Sequence, residues 1–288
     1  MSAEQINYEY EQSKEYELDT FAFSGVTLVE LSTKNVAKVE AMIRTDSKYR
    51  LSLGNDYEDK EYSPYWIEQL GKLLREESAD CCYEKVICKI VDLLDKENGT
   101  HLTADLTEDK KTDASKVMKK RILELKNRKK DILKFLENPS VFFNKTDLDL
   151  IEILSAPTKE INNEKPRRHL SFASKFCHYT CFHIFKDQKA RDNFSIYDKF
   201  VLEALPYYLK YYKENGKIDN EIVLKKENGN SHYKFSDFQK VVDEIIKASD
   251  SKISRNGFDH LLWYYFKGDR LKKEKALKKR HNDDRVVD

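Results

Sequence analysis

HLSFASKFCHYTCFHIFKDQKARDNFSIYDKFVLEAL, residues His169–Leu205, holds two amphipathic segments joined by a charged connection. Phe172, Phe176, Tyr179 and His183/Ile184 recur at helical spacing, which predicts a helix from Ser171 or Ser174 to Phe185. Either serine suits its N-cap. Lys175 then falls in the first turn, where a cation opposes the helix dipole. A local conflict of that kind is a candidate mark of function. A second helix is predicted to open near Ser195–Asp198 and to bury Phe200, Val201, Ala204 and Leu205. Asp198 stands at its head, where a carboxylate is favoured.

Outward from this stretch the chain reads as helical. It has only 8 Gly and 5 Pro in 288 residues, too few breakers for a turn-rich β-sandwich, while 15 Phe and 17 Tyr supply core material. Residues 1–19 read as an acidic arm without the apolar run of a signal peptide. Thr20–Thr33 reads as a hairpin around Gly25. Helices are predicted over Asn35–Arg44, from Ser63-Pro64 through Leu73, over Cys81–Leu94 and over Thr146–Leu154. The longest, Asp113–Leu136, carries Met118, Ile122, Leu125, Ile132 and Leu136 on one stripe. Further on, Ile222–Leu224 and Tyr233–Phe235 flank Asn228-Gly229 as a second hairpin, and Ser236 with Gln239 has the form of a capping box. Ser254 is the expected cap of the last helix.

Formal net charge is +1, from 52 Lys and Arg against 51 Asp and Glu, so any nucleic-acid contact must come from local clustering. The Asp113–Leu136 helix offers one such cluster at Lys119, Lys120 and Arg121. No apolar run has the length of a membrane span. Five cysteines, an odd number, fit a reducing cytoplasm better than a disulfide framework. Cys177, His178, Cys181 and His183 cannot all converge on one metal from a straight helix and read as core residues.

SFASKFCHY and SIYDKFVLEAL together resemble the helix-hairpin-helix DNA glycosylases, notably the 8-oxoguanine glycosylase branch. There a hairpin leads into a helix bearing a catalytic lysine, and an aspartate opens a later helix. The resemblance covers roughly 40 residues. It implies that Lys175 is the amine nucleophile and Asp198 the carboxylate that stabilises the cationic sugar and shuttles protons. The lysine must lose its proton to attack, which calls for a desolvated or cation-flanked pocket. The target nucleotide must leave the duplex, with Tyr197 or Trp263 to stack on it. The family's hairpin is glycine-rich; PRRHLSFAS here has no glycine, so Arg167, Arg168, Ser171, Ser174 and the helix N-terminus are the expected phosphate contacts. The separation from Lys175 to Asp198 is slightly longer than usual, and an insertion within CFHIFKDQKARDNF accounts for it. The four-cysteine iron–sulfur pattern of some relatives is absent.

The sequence thus predicts a mainly α-helical protein with one or two small hairpins. Its expected parts are an N-terminal helical region with a hairpin (1–110), a long basic helix (111–138), a helix-hairpin-helix glycosylase-like region (139–266) and a charged tail (267–288). The expected function is a cytoplasmic DNA glycosylase, with or without lyase activity, needing no metal or other cofactor and binding DNA but no membrane. The alternative is a non-catalytic nucleic-acid-binding or assembly component on the same scaffold, with protein partners in a repair or bacterial defence complex.

Overall fold

The computed structural model describes residues 18–45, 65–75, 82–97, 102, 108–142, 148–157, 168–226 and 233–266. The described chain is mainly helical, with a single two-stranded sheet among these residues. The N-terminal arm, the Ser63-Pro64 cap, Arg167, the Asn228-Gly229 turn and the tail from 267 lie outside them. The chain divides into two compact units, one made of residues 1–42 and 197–288, the other of 43–196. The division runs through the 139–266 region, between Ile196 and Tyr197.

The first unit begins with β1 (Thr20–Phe23) and β2 (Val26–Val29), antiparallel with Phe23 opposite Val26. Ser24 and Gly25 turn the hairpin with φ of 46° and 73°. Positive φ at both central residues matches the right-handed twist of the strands, and glycine adopts it without strain. Helix α1 (Thr33–Thr45) follows. Its buried Asn35 closes the base of the hairpin: Nδ2 donates to the Asp19 and Glu30 carbonyls at 2.9 Å each, and Oδ1 accepts from Asp19 N at 3.0 Å.

This unit continues with α10 (Lys199–Glu214), α11 (Phe235–Ala248) and α12 (Arg255–Phe266), the labels following chain order. The buried Tyr208 hydroxyl of α10 donates to the Val29 carbonyl at 2.7 Å, and burial raises its pKa well above the usual tyrosine value. Phe21 and Phe23 pack on Tyr211. Ser254 caps α12 as expected, accepting from Gly257 N at 3.0 Å. A Cβ on Gly257 would lie 2.9 Å from Val36, so glycine is what lets α12 approach α1.

Two expectations here need correction. Phe235 opens α11 with Lys234 before it, so Ser236 is inside the helix and no capping box forms. The second hairpin reduces, among the described residues, to a single bridge between Lys226 and Tyr233.

The second unit is built around α8 (Leu170–Ile184). Around it stand α2 (Tyr65–Arg75), α3 (Tyr83–Glu97), α5 (Lys129–Glu137), α7 (Leu150–Ser155) and α9 (Gln188–Arg191). Neighbours on so many sides bury α8 almost throughout, from Phe172 to Cys181 without a break. Helix α2 comes close enough that a Cβ on Gly71 would sit 2.6 Å from Ile184 Cγ2. Arg75 of α2 donates to the Gly71 and Ile184 carbonyls, the latter at the C-terminal end of α8.

The predicted Asp113–Leu136 helix is two helices, α4 (Glu108–Glu124) and α5, joined by a 3₁₀ turn over Lys126–Arg128. The backbone tightens there: Leu125 N and Arg128 N donate to carbonyls three residues back. The break lets the two halves find separate neighbours. Met118 and Ile122 go into contact with α3 and α7, while Ile132, Phe135 and Leu136 face α2 and α8. The short α6 (Pro139–Phe142) follows α5.

Candidate functional site

Helix α8 begins earlier than its periodicity suggested. Its N-cap is His169, whose side chain makes no capping bond, and Leu170 is its first residue. The cap places of Ser171 and Ser174 are therefore corrected: both lie inside the helix, and the buried Ser174 hydroxyl donates to the Ser171 carbonyl at 3.1 Å. Lys175 moves out of the first turn with them, and the conflict with the helix dipole, which is confined to that turn, disappears. In its place stands a different anomaly. Lys175 is only 5% exposed, in the most buried helix of its unit. Lysine is almost never buried to this degree without a reason.

The surroundings of Lys175 along α8 are apolar or neutral. Phe172 and Phe176 stack at 6.3 Å. Cys177 and Cys181 are buried thiols; burial pushes both well up, and for Cys177 the neighbouring Cys181 and Asp149 add to it. Cys181 Sγ donates to the Leu136 carbonyl at 3.4 Å. Among the described residues no cluster of His, Cys, Asp and Glu has the form of a metal site.

Asp198 belongs to the first unit and is the N-cap of α10. Its Oδ1 accepts from Phe200 N at 2.9 Å, which fixes the carboxylate at the helix head. It is half-buried. Phe200 in turn meets Trp263 of α12 edge-on, with ring centroids 6.3 Å apart. Trp263 is half-buried and keeps part of its ring open. Tyr197 does not: it is buried, its ring packs on Phe238 at 5.0 Å, and its hydroxyl accepts from Tyr233 N at 2.9 Å. As a base-stacking platform Tyr197 is corrected to a tether that holds the Tyr233 backbone.

The proposed phosphate contacts have partners inside the protein. Arg168 pairs with Glu152 and donates to Ser155 Oγ at 3.0 Å, tying the start of α8 to α7. Arg121 donates to the Leu154, Ala156 and Pro157 carbonyls, the C-terminal end of α7, at 2.7–3.3 Å. Lys119 pairs with Asp92 at 3.0 Å. Of that cluster only Lys120 is freely presented, with a weak contact to Glu124 at 3.9 Å. Arg121 and Arg168 are thus connectors of α4, α7 and α8, a role invisible while their partners are more than ten residues away in sequence.

The sequence reading missed the residues that shape the return from α8 toward Asp198. His178 is fully buried, and its Nδ1 lies 2.7 Å from the Phe194 carbonyl. Asn193 Nδ2 donates to the Leu136 and Glu137 carbonyls at 2.7 and 2.8 Å. Arg191 Nε donates to the Phe182 carbonyl at 2.9 Å, with its guanidinium 4.2 Å from the Phe182 ring centre. The extra residues of CFHIFKDQKARDNF contain α9, opened by an Asp187 side chain that accepts from Ala190 N at 2.9 Å.

No helix among the described residues is long and apolar enough to cross a membrane. No protein-family model matches the chain, and neither a curated protein nor a solved structure matches it.

Proposed function

We propose that the chain is a DNA glycosylase with an associated lyase step, acting on a damaged or modified base flipped out of the duplex. The observation that carries this reading is the burial of Lys175 at 5% exposure in the central helix of its unit, within the sequence SFASKFCHY. An amine attacks only through its lone pair, and removal from water disfavours the ammonium that blocks it. Asp198, fixed at the head of α10 in SIYDKFVLEAL, is the second support.

In the proposed reaction Lys175 Nζ forms a bond to the sugar C1′ as the C1′–N bond to the base breaks. The bonding pair leaves with the base, which takes up a proton, and the attacking amine gives one up. The ring oxygen then leaves C1′ and is protonated, giving a C1′=Nζ iminium. Loss of a C2′ proton and departure of the 3′-phosphate complete the lyase step. The Asp198 carboxylate stabilises the positive sugar and relays protons. Trp263 is the open aromatic face for the flipped base.

The test is incubation with duplexes carrying an abasic site or one oxidised or alkylated base, with and without borohydride. The wild type should release base and be trapped covalently, and Lys175→Gln should do neither. Asp198→Asn should fold normally, because asparagine caps a helix as well as aspartate does, and still lose base release. Failure of the wild type to release any base or to be trapped on any of these duplexes would overturn the reading.

A further inference from the structure

The segment between the lysine helix and Asp198 is held in place by side chains whose only visible partners there are backbone carbonyls. Arg191 holds the Phe182 carbonyl, Asn193 the Leu136 and Glu137 carbonyls, and His178 the Phe194 carbonyl. These are clamps on the path of the chain. The His178 clamp is the one nearest Lys175 along α8: three residues separate them, so the two side chains are neighbours on the helix surface. A carbonyl oxygen only accepts, so the 2.7 Å contact places the His178 proton on Nδ1. The ring is kept at its angle by stacking on Phe182 at 13°, and Phe182 carries Arg191 on its ring. His178 and Arg191 therefore brace one another through a shared aromatic. Four residues after Phe194 the chain reaches Asp198.

We propose that His178 is a positioning residue for the base-excision chemistry, fixing through the Phe194 carbonyl where the chain departs from the lysine helix toward Asp198. The inference rests on the glycosylase reading above. His178 takes no part in bond making. Its contribution is geometric, and misplacement of a reacting group by about 1 Å costs on the order of 100-fold in rate.

The experiment follows borohydride trapping on an abasic-site duplex, in which the Lys175 amine condenses with the C1′ aldehyde, water leaves, and hydride reduces the C=N bond. Two variants separate position from mere packing. His178→Leu removes the donor; His178→Asn keeps an N–H where Nδ1 stood. At saturating duplex, His178→Leu should trap about 10-fold or more slowly than the wild type, with its half-saturating duplex concentration unchanged, and His178→Asn should stay within about 3-fold of the wild type. If His178→Leu does not fold, the Asn variant decides alone: a rate within that range supports positioning. A folded Asn variant as slow as the Leu variant overturns the inference, as does a folded Leu variant that traps at the wild-type rate. A wild type that is not trapped at all sinks the glycosylase reading itself, a result distinct from either.

Discussion

Asn193 offers a quantitative check on how the return from α8 is held. Its amide is 8% exposed and donates to the two terminal carbonyls of α5 at 2.7 and 2.8 Å. Both partners are acceptors, so the nitrogen must face them. Asn193→Ala removes both bonds; at about 0.5–1.5 kcal/mol net each, the second unit should lose about 1–3 kcal/mol. Asn193→Asp is the sharper perturbation. It keeps the volume and replaces the donor by a carboxylate facing two carbonyl oxygens. The loss should then exceed that of Ala, because an acceptor opposed to acceptors in a buried place is worse than none. Urea unfolding followed by far-UV circular dichroism gives both values, with the transition of the affected unit fitted separately if the units unfold apart. An Asp variant as stable as the Ala variant, or an Ala variant within about 0.5 kcal/mol of the wild type, would refute the clamp.

Further outcomes are expected elsewhere. Tyr208→Phe should cost about 1 kcal/mol or more in chemical denaturation, because it leaves the Val29 carbonyl without the 2.7 Å bond in a fully buried place. Gly71→Ala should destabilise by about 1–3 kcal/mol, since its Cβ would sit 2.6 Å from the branched Ile184 side chain. Asp149 caps α7, and its pKa is raised, first by desolvation and then by Glu152, against the opposing backbone bond to Glu152 N. A raised carboxyl binds protons more readily folded than unfolded, so its contribution to stability falls as pH rises from the ordinary carboxylate value through the raised one. Asp149→Asn keeps the cap and removes that loss, so thermal melts above this range should show the variant at least as stable as the wild type.

Much of the fold was legible from local pattern. The Ser24-Gly25 turn, the Ser254 cap and the apolar stripes of α2, α3, α11 and α12 are set by residues within a few positions of one another. The 3₁₀ break between α4 and α5 was not, because Leu125 and Ile132 are seven apart and a seven-residue interval preserves the stripe of a continuous helix. The burial of α8 was equally hidden. Ser174, Lys175, His178 and Thr180 read as a polar face, and only the five helices around them turn that face inward. Asn35 and Asn193 carry no local signal, since the carbonyls they hold are set by tertiary structure. The same reason hid the internal partners of Arg121 and Lys119, which in sequence are two cations among many. Of the candidate site, the sequence supplied Lys175, Asp198 and Trp263, and missed His178 as an organiser because a histidine beside buried cysteines looks like core.

The central claim is that Lys175 is the nucleophile, and the most direct measurement is the location of the covalent bond. Wild-type protein reduced with borohydride on an abasic-site duplex, digested with nuclease and protease, should yield one modified peptide. Tandem mass spectrometry should place the deoxyribose-derived mass on Lys175. An adduct on another lysine or on the N-terminal amine, with Lys175 unmodified, would contradict the account.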